Sequence, residues 1–332
     1  MNEPPPPSDG SRAPGTSDPA ILVAGETLVD FLPAEPGPLS GVESFSRRAG
    51  GAAANVAIGL SRLDRPPWFL TNVSTDGFGE FLAKTLDENG VPDRFVTRSD
   101  HPTTLAFVAH DANAERSFTF YGADSADGHL DAGVVSERVL DGVEWICVDA
   151  PVALAAEPAR SALLDLCERA RDRGCRVAFD PNTRRELWPD DEPFHATLEA
   201  MLARTDAVKT SVADLDGTSL AADDPADLAA NLFAAGPHTV FVTQGTDGSR
   251  VLADDRAPWG AVDVSHPGYD VDPVDTTGAG DAFLAGALRG LAADEPLDEC
   301  LGFANAVGAL TATEAGAIDA LPDREAVAAL RE

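Results

Sequence analysis

Seven consecutive residues, Asp275-Thr276-Thr277-Gly278-Ala279-Gly280-Asp281, contain two aspartates, two threonines and two glycines. The segment behind them, residues 282–291 (AFLAGALRGL), is apolar on most sides and reads as a buried helix. A glycine-rich turn at a helix N-terminus leaves backbone N–H groups unpaired beside the positive end of the dipole, which suits an anion. Glycine lets a phosphate approach the main chain with no Cβ in the way. A carboxylate in such a site repels the anion unless it has a second task. Asp281 gains one if it takes a proton from a nucleophile attacking the bound phosphate; the plainer alternative is a helix cap.

Two further stretches set polar groups beside open backbone. Gly25-Glu26-Thr27-Leu28-Val29-Asp30 follows the apolar run 20–24, at the carboxyl side of a strand, where open α/β sheets bind ligands. Gly50-Gly51 enters a helix predicted over 52–63 and places Asn55 one turn in, on the glycine side. A carboxylate and an amide suit adjacent hydroxyls, since together they offer acceptors and donors. The alternative for each is a polar residue facing solvent.

These stretches sit in a chain of 332 residues, 44% hydrophobic, which fits one large α/β domain. The net charge is −32, from 56 acidic and 24 basic residues, and only two of the latter are lysines, Lys84 and Lys209. Acid spread this evenly keeps a surface hydrated at high salt, and we read a halophile's cytoplasmic protein. No basic stripe exists to neutralise phosphates, so nucleic acid is not an expected partner. No apolar run reaches the length of about 18 residues that a membrane helix needs, and no secretory leader is expected. Cys147, Cys167, Cys175 and Cys300 lack CxxC spacing and read as reduced and buried. The scattered histidines form no HxxxH or HExxH and suggest no zinc site. Asn72-Val73-Ser74 is read as an idle glycosylation sequon.

The elements that must position the candidate residues alternate between strand and helix. Residues 1–19 are rich in proline, glycine and serine and are expected to be a disordered tail. Strands are predicted at 20–24, 68–73, 144–148, 176–179, 207–209 and 239–243, with a hairpin from Gly248 into 250–252. Helices are predicted at 52–63, 78–89, 156–173, 192–204, 225–235, 281–291, 295–313 and 323–331. Residues 31–48 cross over or form a flap, and 103–110 with 116–121 make a hairpin that interrupts the alternation, as an added lid does.

The motifs Gly50-Gly51…Asn55 and Asp275…Asp281, in this order and separation, resemble those of the PfkB or ribokinase family of carbohydrate kinases, and within it the fructokinases. The resemblance runs from about residue 20 to 322. It implies a ribokinase-like α/β fold, a three-layer α/β/α sandwich with a mostly parallel central sheet. A small β-lid would come from about 31–48 and 102–122 of a kinase domain spanning 20–332. There is no GxxxxGK[ST], so a P-loop is excluded as the phosphate site.

By the same resemblance Asp281 is the base that accepts the proton of a terminal sugar hydroxyl. The amides of Gly278, Ala279 and Gly280 then stabilise the transferring phosphoryl group of ATP. Asp30, Gly50, Gly51 and Asn55 would hold the sugar. Asp180-Pro181-Asn182-Thr183-Arg184 with Leu187-Trp188 resembles a fructokinase segment in which Arg184 meets the phosphate or the sugar. Thr243, Gly245, Gly248 and Asn305 would face the nucleotide. Mg²⁺ would bridge the β- and γ-phosphates, held mostly by water. The family's Asn-x-x-Glu beside that metal is replaced by Ser211-Val212-Ala213-Asp214, which leaves Asp214 as a contact through water. Lys209, just before it, is either a phosphate contact or an ordinary strand-end residue. A monovalent cation such as K⁺ would take Asp275, Thr277 and carbonyls near Gly316. Lids of this family often pair, and the 103–121 hairpin offers a surface for a homodimer.

Gly-Glu-x-x-x-Asp at the front and Glu115-Arg116-Ser117-Phe118-Thr119-Phe120-Tyr121 in the lid look like fructokinase. Relatives that take 2-keto-3-deoxygluconate often carry arginine after the lid aromatics, where this chain has Gly122. Without that cation a carboxylate substrate is poorly compensated in an acidic protein. A neutral ketohexose is therefore the expected substrate. The open alternatives are 2-keto-3-deoxygluconate, ribose or a nucleoside, and a non-catalytic sugar- or nucleotide-binding protein.

Overall fold

The computed structural model describes residues 18–332 apart from 36 and 111–115. The tail expected over 1–19 thus lies outside the described residues except for its last two, and the linker of the lid hairpin lies outside them as well. In chain order the first elements are β1 (Ile21–Ala24), β2 (Leu28–Pro33), β3 (Phe45–Gly50), α1 (Ala52–Arg62), β4 (Trp68–Ser74) and α2 (Gly77–Glu88). They are followed by β5 (Val96–Ser99), β6 (Leu105–His110), β7 (Arg116–Tyr121), α3 (Glu137–Leu140), β8 (Trp145–Val148), α4 (Pro151–Ala155) and α5 (Ala159–Asp172). Then come β9 (Arg176–Phe179), α6 (Asp191–Leu202), β10 (Ala207–Ser211), α7 (Pro225–Ala235), β11 (Thr239–Thr243) and β12 (Ser249–Ala253). The chain closes with β13 (Val262–His266), α8 (Ala279–Leu291), α9 (Leu297–Thr311) and α10 (Arg324–Arg331).

Nine strands form one sheet in the order β13-β12-β11-β10-β9-β8-β1-β4-β5. All neighbours from β5 to β11 are parallel, and β12 and β13 return antiparallel at one edge. The strand pattern explains the layering. β1 and β8 are buried along their whole length, so both sheet faces must be covered. Ile21 and Val23 enter one core with α1, α8 and α9, while Leu22 and Ala24 enter the other with α5, α6 and α7. This is the three-layer α/β/α arrangement.

The small sheet has the order β3-β2-β6-β7. Residues 31–48 therefore contribute strands of this sheet, with β2 antiparallel to β3 and parallel to β6. Its aromatic cluster stacks Phe31 on Phe107 at 4.8 Å and sets Phe45 edge-on to both. β6 and β7 pair as the expected hairpin.

Several local expectations need correction. β5 and β13 were not anticipated; both are short edge strands whose burial pattern is mixed, so the apolar-run signal is weak. The helix predicted over 156–173 begins only at Ala159, behind a separate α4, because Pro158 cannot supply the N–H that would continue it. All four cysteines are free and buried. Asn72 is buried too, its Nδ2 donating to Ser99 Oγ and to the carbonyls of Ala126 and His129, so the sequon does not face solvent. No helix among the described residues is long and apolar enough to cross a membrane.

Helix α8 carries the glycine turn, and its position is set by close packing on α9. A Cβ on Gly286 would lie 2.9 Å from Ala304 Cα, nearer than side chains tolerate. Gly286→Val is therefore expected to destabilise the fold by about 1–3 kcal/mol through overpacking. A denaturant midpoint equal to that of the parent protein would show that the two helices are not held at this distance.

Candidate active site

The parallel sheet dictates where the polar groups gather. Val148 of β8 pairs in register with Phe179 of β9, and the next residue of each strand is an aspartate, Asp149 and Asp180. Adjacent strands lie about 4.8 Å apart, so two carboxyls at the same level of neighbouring strands must meet. The turn before α8 brings a third. One oxygen of each of Asp149, Asp180 and Asp281 lies within 4.8 Å of the others.

Gly278, with φ of 77°, precedes α8 in the left-handed region, and Asp281 falls in the first turn of the helix. The α1 N-terminus also reaches this turn. Its Asn55 Nδ2 donates to Asp281 Oδ2 at 2.7 Å. Thus the two glycine turns that the sequence separates by more than two hundred residues meet through one hydrogen bond.

A single lysine serves the carboxylates from below. Lys209 of β10 is 7% exposed and its Nζ donates to Asp180 Oδ2 at 2.7 Å. Burial works against its charge, but Asp180, Asp214 and Asp281 outweigh that and hold the ammonium protonated. A Cβ on Gly280 would stand 2.8 Å from Nζ, so the anion turn rests directly on the lysine. Lys209 is an ion-pair partner inside the site and not an ordinary strand-end residue. Asp149 is pushed well above the usual carboxyl range by burial and by the charges of Asp180 and Asp281. Asn182 Nδ2 donates to Asp149 Oδ1 at 3.0 Å, and Asp149 Oδ2 has no hydrogen-bond partner. Desolvation also raises Asp281, against the pull of Asn55, Lys209 and Arg184.

On the side of the small sheet, Asp30 is raised to about 7 by desolvation and by the charge of Asp281, with Arg184 acting in the opposite sense. The Asp30 carboxylate occupies the space where a Cβ of Gly50 would be. Gly51, with φ of 100°, passes so close to the Glu26 carbonyl that a Cβ would lie 2.7 Å from it. The open backbone expected at these glycines is thus taken first by the protein's own groups. Arg184 donates to the Thr183 carbonyl at 3.1 Å and stands 5.9 Å from the Phe118 ring centre.

Beyond the turn, a cleft runs between the end of β11 and α9, and Thr243, Gly245, Gly248, Ala279, Gly280 and Asn305 line it. Asn305 Nδ2 is engaged by Ser249 Oγ and the Leu301 carbonyl. Asp275 Oδ1 accepts from the N–H and hydroxyl of Thr277, and its Oδ2 accepts from Gly316 N–H at 3.1 Å. Asp275, Thr277 and Gly316 are therefore brought together, as a brace under the turn. Asp214 Oδ2 accepts from Ser211 N–H at 2.7 Å, which closes its own loop.

Sequence reasoning missed Asp149, Asp180 and Asn182 as site members. The signal was present, since each aspartate directly follows a short apolar strand, in WICVD and RVAFD. It also missed a second buried carboxyl pair, Glu26 and Asp127, where the chain enters and leaves the small sheet. Burial, with the charge of Asp127, pushes Glu26 up to about 8, and burial pushes Asp127 up to about 7.

A family model described as pfkB family carbohydrate kinase matches residues 18–324. Fructokinase-1 of Oryza sativa subsp. japonica is 37% identical over 321 residues, 94% of this chain and 97% of its own length. A fructokinase from Xylella fastidiosa, solved with bound ATP, superposes with a TM-score of 0.81 at 28% identity, covering 94% of this chain and 98% of its own. A Vibrio cholerae fructokinase double mutant, solved with fructose, ADP and potassium ion, gives 0.80 at 29% identity, covering 96% of this chain and 100% of its own.

Two stability measurements check this electrostatic arrangement. Removing the lysine alone leaves buried carboxylates unpaired, so Lys209→Met is expected to cost about 3–5 kcal/mol, and adding Asp180→Asn to restore part of it. A double variant no more stable than the single one in chemical unfolding would contradict the pairing. The second concerns Glu26. A carboxyl held above its ordinary 4.5 binds its proton more tightly when folded, so its contribution is complete below that pH and lost as pH rises through about 8. Glu26→Gln should therefore flatten the fall in melting temperature across this range; an unchanged slope would mean that Glu26 is not buried as a neutral acid.

Proposed function

The chain belongs to the pfkB family of carbohydrate kinases, and from that premise we propose that it transfers the γ-phosphoryl group of ATP to a terminal hydroxyl of fructose. The observation that carries this reading is Asp281, set in the first turn of α8 behind the amides of Gly278, Ala279 and Gly280 and held by Asn55. The sugar oxygen attacks the γ-phosphorus as its proton passes to Asp281, and the bond to the β,γ-bridging oxygen breaks to release ADP. The turn amides meet charge on the phosphoryl oxygens. Lys209 adds a fixed positive charge beneath them and opposes the rise to about 6 that burial imposes on the Asp180 carboxyl.

For the sugar we assign Asp30, the backbone at Gly50 and Gly51, Asn55 and Arg184. The nucleotide is assigned to the cleft of Thr243, Gly245, Gly248 and Asn305. Mg²⁺ prefers oxygen donors and retained water, and the unpartnered Asp149 Oδ2 beside Asp180 fits such a set. Asp149 and Asp180 are better disposed to hold it through water than Asp214, whose carboxylate closes its own turn. The ion would neutralise charge on the β- and γ-phosphates. K⁺ is assigned to the brace of Asp275, Thr277 and the carbonyls near Gly316.

Fructose is favoured by the identity to rice fructokinase and by Gly122, which leaves no added cation for an acid sugar. An ADP-release assay in molar KCl should give the highest kcat/KM with fructose, against 2-keto-3-deoxygluconate, ribose, glucose and adenosine. A higher value for any other sugar overturns the substrate, and no turnover with any of them overturns catalysis. Asp275→Ala should weaken activation by K⁺ relative to Na⁺ without abolishing turnover; equal K⁺ dependence would remove the cation assignment.

A further inference from the structure

Outside the phosphoryl-transfer site, a second cluster stands where the small sheet joins the large one. His101 lies on the segment that leads from β5 into β6, and Asp124 and His129 lie on the segment that leaves β7. His129 Nε2 is 2.7 Å from Asp124 Oδ1, and His101 Nδ1 is 3.5 Å from the same oxygen. The two imidazole rings stack, with centroids 3.5 Å apart and planes 11° from parallel. One ligand atom from each of the three residues lies within 4.8 Å of the others.

Two imidazoles and one carboxylate are a donor set for a divalent transition ion, and not for K⁺ or Mg²⁺, which take oxygen. The backbone beneath them is fixed. Buried Asn72 ties Ser99 on the entering segment to Ala126 and His129 on the leaving one, and Ala126 N–H donates to the Pro102 carbonyl at 3.0 Å. Thr104 Oγ1 donates to Asp127 at 2.6 Å, a third tie between the same segments. Asp124 holds φ of 55°, in the left-handed region that aspartate enters more readily than most non-glycine residues. The ligands thus project from a braced frame, while the Asp124 side chain is 76% exposed and reachable from solvent. No local motif marks the site, because its ligands come from two segments, with Asp124 and His129 lying 23 and 28 residues after His101.

We propose that His101, Asp124 and His129 bind a divalent ion of the Zn²⁺, Co²⁺ and Ni²⁺ class, with water in the remaining positions, and that the bound ion clamps the two chain segments on which the β6–β7 hairpin is carried. The ion takes the place of the His129–Asp124 hydrogen bond and of the His101 Nδ1 contact with the Asp124 carbonyl, and the stacked rings part and turn so that their in-plane lone pairs converge on it at about 2.0–2.2 Å. Because it binds the folded frame, it raises the melting temperature of the protein, by an amount that grows with the logarithm of free metal above the dissociation constant.

The test is titration of the full chain, freed of metal by chelator, with Co²⁺ read by visible absorption and with Zn²⁺ read by calorimetry and thermal unfolding. The expected result is one equivalent per chain, at least tenfold weaker binding in each of His101→Ala, His129→Ala and Asp124→Asn, and loss of the thermal shift in all three. Asp281→Ala should bind Co²⁺ as the parent protein does, which separates this cluster from the carboxylates of the active site. No saturable binding below millimolar metal overturns the proposal. So does equal binding by the parent protein and the His101→Ala/His129→Ala double variant.

Discussion

Three carboxyl groups converge at the carboxyl edge of the sheet and share one ammonium. Asp149 and Asp180 are each 0% exposed, and Lys209 is 7% exposed. Isolated charges at this depth would cost several kcal/mol each, so the arrangement persists only because the charges are paired or protonated. Lys209 pairs with Asp180, Asn182 donates to one oxygen of Asp149, whose carboxyl burial pushes upward, and Asn55 donates to Asp281. In a chain of net charge −32 with two lysines, one of them is committed to this place.

The rest of the site follows from making room for that cluster. Gly280 leaves space for Lys209, Gly50 for Asp30, and Gly51 for the Glu26 carbonyl. Gly286 then lets α8 press against α9, so the anion turn is fixed from the core side. The Asp275 brace fixes it from the other side through Thr277 and Gly316. Glycine spacing here reports the protein's own polar interior as much as the shape of a ligand. The small sheet adds a separate layer, joined to the large one through buried Asn72, Glu26 and Asp127.

Much of this architecture is legible in the amino-acid sequence. The buried parallel strands announce themselves as short apolar runs, and the two glycine turns mark both helix N-termini that meet at Asp281. The edge strands β5 and β13 were not legible, because half-exposed strands lose the apolar pattern. Asp149 and Asp180 were overlooked for a different reason. A single aspartate after a strand is common, and only the register between β8 and β9 turns two such residues into a pair. Lys209 reads as a strand residue until the sheet places its ammonium beneath Gly280. Asp214 and Asp275 stood out by motif, and the structure gives each a local hydrogen-bonding task. Spacing along a chain shows local geometry well, but charge compensation across strands depends on contacts it does not encode.

On the proposed function Asp281 acts as proton acceptor and not merely as part of the helix cap. Asp281→Asn keeps the volume and can still accept from Asn55, but it cannot take the proton. Measured side by side, kcat should fall by about 10²–10⁴-fold, the range for loss of general base catalysis, while the dissociation constant for ATP stays nearly constant. Turnover close to that of the parent protein with unchanged ATP affinity would contradict the account.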